Sequence, residues 1–245
     1  MNKSCRSRTA GFTLVELLVV VVIIASLAAL SFTVGPKMLR NAKATDSLRN
    51  LRQLGPLFGT YAVDHELKLP PAFGPVVQED GVTTNRQWNE VCLALLFPDT
   101  APEDFKTKAW WEKNKPFLRN PLLLESATPR GWSPLNPGYA LNEMIPENLA
   151  LAADGVVPAR DELLAIRVPL AALADPGRTP LIAPFDTWTF RYDPAEIARF
   201  SGGTLKQLLV EDKVPILFVD GHVESITPAE YLEKKLYLVP IVPGI

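Results

Sequence analysis

Histidine and cysteine are nearly missing from this sequence. The 245 residues contain two of each, His65 and His222, Cys5 and Cys92. Neither cysteine has a second one at metal-ligand spacing, so a zinc ribbon or an iron–sulfur site is excluded. Cys5 precedes the apolar run described below, whereas a lipoprotein signal places its cysteine after one. There is no glycine-rich phosphate loop, no nucleophile elbow, and no internal repeat or low-complexity tract. Before residue 70 proline is scarce too, because 21 of the 23 prolines lie from Pro70 onward.

The sequence also lacks a basic balance. The net charge is −2, but Met1 to Leu54 carries eight Lys or Arg against only Glu16 and Asp46, which leaves −8 on the remaining residues. An acidic body does not bind phosphate backbones, so nucleic acid is not an expected partner. A basic stretch next to an apolar segment instead suits the anionic headgroups of membrane lipids.

That apolar segment is the main feature present. Phe12 to Phe32 is 21 residues broken by one charge. At about 1.5 Å per residue, a helix of this length reaches across a bilayer core of roughly 30 Å. Signal peptides have shorter apolar regions, so a membrane anchor is the better reading, with a plain signal anchor or a buried core helix as the alternatives. Glu16 separates these readings. A carboxylate inside a membrane helix costs about 2.5 kcal/mol or more unless it is paired, which points to a specific role. The leader, Met1 to Gly11, carries Lys3, Arg6 and Arg8 and no acid.

Gly11-Phe12-Thr13-Leu14-Val15-Glu16, behind a basic leader and ahead of a long apolar helix, resembles the cleavage and methylation signature of type IV prepilins and type II secretion pseudopilins. The resemblance implies cleavage after Gly11 by a prepilin peptidase, which also methylates the new amino group on Phe12. It also implies a C-terminal domain outside the cytoplasm and assembly with other pilin-like subunits. Within a filament, the Glu16 carboxylate would neutralise the freed amino group of a neighbour's Phe12. The chain is then divided into a leader (1–11), a transmembrane helix (12–34), an amphipathic stem helix (35–66) and an extracytoplasmic domain (67–245).

Beyond the apolar run, Lys37 to Ala62 continues a helical pattern, with Leu48, Leu51, Leu54, Phe58 and Tyr61 on one face. Gly35-Pro36 and Gly55-Pro56 are expected to kink or interrupt this helix. The proline-rich remainder predicts a mixed α+β domain of short elements. Asp193-Pro194-Ala195-Glu196 and Thr227-Pro228-Ala229-Glu230 both read as helix starts, the second leading into Tyr231 to Leu236. Strands are predicted at Pro180 to Phe185, Thr187 to Tyr192, Pro215 to Val219 and His222 to Ile226. Asp220-Gly221 is expected to join the last two through a type I′ turn. The expected architecture is pilin-like: a long N-terminal helix whose C-terminal half covers the apolar face of a small antiparallel sheet.

The segment Leu48 to Phe73, Tyr139-Ala140-Leu141-Asn142, and Leu217 to Val223 are similar to landmarks of a large pseudopilin-like family. That family is named for a His, nine residues and then Asp-Gly. Here the His position holds Val210, so the sequence departs from the naming motif.

Candidates for other chemistry are few. Asp64-His65-Glu66 reads as a solvated helix end rather than a metal site, because adjacent helical residues diverge. Asp220-Gly221-His222 reads as a turn before it reads as a ligand pair, and Gly202-Gly203 also reads as a turn. Glu211, Asp212 and Asp220 are the oxygen donors available to a calcium ion of the kind some pseudopilins hold, but an acidic surface loop accounts for them better. Trp88, Trp110, Trp111, Trp132 and Trp188 read as core ahead of a binding platform. No catalytic residue and no cofactor is expected. The leading expectation is a structural subunit. An anchored protein that binds polysaccharide or exported protein comes second, and an anchored hydrolase third.

Overall fold

The computed structural model describes residues 13–77, 83–123, 132–191, 194–201 and 203–242. The leader, Gly11, Phe12, Tyr192, Asp193 and Gly202 lie outside them. The chain separates into two compact units, the first ending at Ala42 and the second beginning at Lys43. A single helix, α1 (Leu14–Asp64), contributes to both.

In the first unit, α1 is apolar and exposed on every side, with Leu18, Val22, Ile24, Leu27 and Leu30 all more than half accessible. It is long and apolar enough to cross a membrane, by length and composition. Such a helix is stable only where lipid or other helices surround it.

The second unit opens with residues 43–64 of α1. The expected apolar face is present: Leu51, Leu54, Phe58 and Tyr61 are buried, and Leu48 is half-buried. The expected interruptions are not, since α1 runs unbroken through Gly35-Pro36 and Gly55-Pro56. A proline removes one N–H from the ladder, and the carbonyl freed by Pro56 belongs to Arg52, on the exposed side. Gly55 serves packing instead: a Cβ there would lie 3.2 Å from the Gly221 carbonyl oxygen and 3.4 Å from Leu217 Cδ1.

Five strands form the sheet on which this half of α1 contributes to the core. They are β3 (Tyr139–Asn142), β4 (Pro180–Pro184), β5 (Thr189–Phe190), β6 (Val214–Phe218) and β7 (Val223–Ile226), while β1 (Phe73–Val77) and β2 (Thr83–Gln87) pair separately. Their order is β5-β3-β4-β6-β7, antiparallel except for the parallel β3–β5 pair. The fold is therefore α+β, a long N-terminal helix with a small, mainly antiparallel sheet and short extra helices. Leu51, Leu54 and Phe58 share one buried cluster with Leu141, Ile182 and Leu217. Each such side chain contributes about 1.5–3 kcal/mol of burial.

Several local expectations need correction. The predicted strand at Thr187 to Tyr192 is reduced to Thr189–Phe190, pinned by Leu141 and Glu143 N–H bonds to the Trp188 and Phe190 carbonyls. Tyr139 to Asn142, not predicted as a strand, is the wholly buried β3. A further hairpin, β1 (Phe73–Val77) with β2 (Thr83–Gln87), was also not expected. Its strands are proline-, glycine- and polar-rich, which hides them from a periodicity argument.

The turn between β6 and β7 is not type I′ either. Gly221 takes φ +91 and Asp220 does not join it at positive φ. Phe218 N–H bonds the His222 carbonyl at 2.9 Å and Gly221 N–H bonds the Phe218 carbonyl at 3.0 Å, closing a three-residue loop.

The short helices are α2 (Trp88–Leu96), α3 (Lys108–Asn114), α4 (Met144–Asp154), α5 (Arg160–Ala165), α6 (Pro194–Ala198), α7 (Gly203–Lys206) and α8 (Pro228–Glu233), of which α6 and α8 arise from the two predicted helix starts. The cap of α6 would be Asp193, outside the described residues. In α8 the capping box is complete: Glu230 N–H bonds Thr227 Oγ1 at 3.1 Å, and Thr227 N–H bonds the Glu230 carboxylate at 2.7 Å.

Candidate functional site

The candidate site is the start of α1. Gly11 and Phe12, for which the sequence resemblance implies processing, lie outside the described residues, while Glu16 is exposed in the first helical turn. Thr13 stands three residues before it and forms a reciprocal cap. Thr13 N–H and Thr13 Oγ1 each donate to Glu16 Oε2 at 2.8 Å, and Glu16 N–H donates to Thr13 Oγ1 at 3.2 Å. This is a capping box, and it satisfies N–H groups that the helix start would otherwise leave open. Its signal in the sequence is the Thr-x-x-Glu spacing of Thr13 and Glu16, which the prepilin-like signature overlies. Among the described residues the bonds to this carboxylate come from Thr13 alone and fall on Oε2, at an exposed position of the first turn.

On the stem half of α1 the buried face is not purely apolar. Ser47 is fully buried and Asn50 nearly so. The Tyr139 hydroxyl on β3 reaches Ser47 Oγ at 3.0 Å, and Asn50 Nδ2 donates to the Arg119 carbonyl at 3.1 Å. Burial pushes the Tyr139 phenol above its ordinary range, so it remains a donor. Hydrophobic periodicity does not reveal these two positions, because both are polar.

The other candidates from the sequence do not converge. His65 stacks on the Tyr61 ring at 3.8 Å, with Nδ1 2.8 Å from the Tyr61 carbonyl oxygen, while Glu66 pairs with Lys68 at 2.6 Å. His222 Nδ1 lies 2.6 Å from Asp220 Oδ1, and its ring stacks on Phe218. Glu211 and Asp212 occupy a separate tight turn following Val210. Among the described residues, no group of three or more His, Cys, Asp or Glu comes together to hold a metal. Trp88, Trp111 and Trp132 are buried, while Trp110 and Trp188 are half-buried against the core. Cys92 is buried, which pushes its thiol above the ordinary range.

Residues 6–32 match the family model of the prokaryotic N-terminal methylation motif. Comparison of the chain with characterised proteins and with solved structures finds no match to either. The motif, together with the long apolar helix that begins within it, supports a prepilin-type protein.

Proposed function

We propose that this chain is a structural subunit of a type IV pilus or a type II secretion pseudopilus. The prepilin peptidase cleaves it after Gly11 and methylates Phe12, and subunits assemble by packing their N-terminal helices. The observation that carries this reading is the methylation motif over residues 6–32, continuous with an apolar helix exposed on every side. Before assembly the helix anchors the chain in the inner membrane, with the domain outside the cytoplasm. On assembly, lipid contacts are exchanged for contacts with neighbouring helices.

Glu16 is the residue on which assembly turns. Thr13 holds one carboxylate oxygen at the helix end; the other, with no partner among the described residues, would meet the methylated amino group of a neighbour's Phe12. Two opposite charges that would each be costly alone in a helix bundle become a pair. Removing one partner of such a pair would leave the other as an uncompensated charge in the bundle and strongly disfavour addition of a subunit.

Mass spectrometry of the mature N-terminus tests the reading. In cells with an active peptidase the chain should begin at methylated Phe12. In cells lacking the peptidase, or carrying a blocked Gly11, it should keep Met1 to Gly11. A leader retained despite active peptidase overturns the proposal.

A further inference from the structure

Between the stem half of α1 and the segment after helix α3 (Lys108–Asn114) lies a groove of about 790 Å³. Its wall carries Lys43, Arg49, Lys115 and Arg119 against one carboxylate, Asp46. Asp46 is occupied by Arg49 at 3.1 Å. The Arg119 guanidinium lies over the Trp132 ring, 3.9 Å from its centroid. Lys43 and Lys115 have no carboxylate partner among the described residues. Lys115 sits in the left-handed region, at φ 44, as the residue that ends α3. Like charges gathered in a concavity repel one another and raise the local potential, an arrangement that favours an anionic partner.

The chain itself supplies an acidic surface, since residues from Gly55 onward carry a net −8. One acidic projection stands out. Val210 and Lys213 exchange both backbone hydrogen bonds at 3.0 Å, closing a two-residue turn with Glu211 at φ 52 and Asp212 at φ 60. A turn with both central residues at positive φ is normally made by Asn-Gly, and acids take that conformation at a cost. Both acids are exposed, with no ion pair among the described residues. The turn therefore carries two negative charges at an exposed tip.

We infer that in the assembled state the Glu211–Asp212 turn of one copy seats in the Lys43–Lys115 groove of a neighbouring copy. This contact would fix subunit spacing outside the membrane by charge complementarity. It rests on the reading of the chain as an assembling subunit.

The test uses the full chain in cells with active prepilin peptidase, in a Cys5→Ser background with buried Cys92 retained. Two differently tagged copies report assembly by co-precipitation. Gln53→Cys in the groove wall and Asp212→Cys at the turn report the contact by disulfide formation under mild oxidation. The expected result is a cross-linked dimer that needs both cysteines. It should fall about tenfold or more with Lys115→Glu and recover when Glu211→Lys is added. Co-precipitation without the cross-link overturns this contact and leaves the assembly reading standing. Loss of co-precipitation overturns both. A cross-link unchanged by Lys115→Glu overturns the electrostatic basis. Sedimentation with anionic vesicles that depends on Lys115, in the absence of a cross-link, assigns the groove to lipid headgroups and overturns the proposal.

Discussion

The Tyr139 hydroxyl on β3 donates to Ser47 on α1, 3.0 Å from its Oγ, across 92 residues of sequence. Both residues are fully buried, so this bond ties the stem to the sheet at a point that water does not reach. Tyr139→Phe should destabilise the domain by about 0.5–1.5 kcal/mol, the usual net worth of a buried hydrogen bond. Ser47→Ala should cost a similar amount, and the double variant little more than either single one. Chemical denaturation of the full chain in detergent measures all three, and strictly additive losses would show that the two groups are not coupled.

Leu54, fully buried on the same face, is expected to be more sensitive. Leu54→Ala leaves a cavity between helix and sheet and should cost about 2–5 kcal/mol. The same truncation at Leu18, exposed in the apolar half of α1, should leave the denaturation midpoint of the domain unchanged.

Two glycines at positive φ separate strain from packing. Gly155 (φ +75) has open space where a Cβ would stand, so Gly155→Ala carries only conformational strain, about 1–2 kcal/mol. Gly138 (φ +85) would place that Cβ 2.8 Å from Asn120 Cβ and 2.9 Å from Leu123 Cβ. Gly138→Ala should therefore shift the denaturation midpoint clearly further than Gly155→Ala. Equal shifts would show that the backbone conformation alone decides the cost.

The cap of α8 makes an acid-side prediction. The backbone hydrogen bond from Thr227 is the main reason the Glu230 pKa lies below the ordinary carboxylate range. A carboxylate with a lowered folded pKa contributes stability above its unfolded pKa, near about 4.3, and loses it as pH falls through the folded value. Glu230→Gln should therefore flatten the decline in stability below about pH 4.3 relative to wild type. Thermal melts across that range would refute the assignment if the two curves fell in parallel.

For assembly the critical comparison is at Glu16. Glu16→Ala should still be cleaved and anchored, but should fail to co-assemble, because the neighbour's amino group would be left in the helix bundle without its counter-charge. Thr13→Ala removes only the hydroxyl half of the cap, worth about 1 kcal/mol, and should weaken assembly only mildly. Filaments of normal yield from Glu16→Ala would remove the role given to this carboxylate.

What could be read from the sequence was local. The Gly11 to Glu16 signature, the lipid-length apolar run, the stripe through Leu51, Leu54, Phe58 and Tyr61, and the Thr227–Glu230 cap each depend on residues within a turn or two of one another. Capping bonds and helical periodicity act over that range, so the residue types are enough to determine them. The tertiary structure decided what depends on distant partners. The all-buried β3 became a strand because β4 and β5 flank it, Ser47 became part of the core because Tyr139 reaches it, and Gly55 allowed α1 to pass close to Gly221. The groove needed the stem and the segment from Asn114 to Pro121 brought side by side. Those pairings close long loops, and their energy lies in contacts that do not exist until the chain has folded.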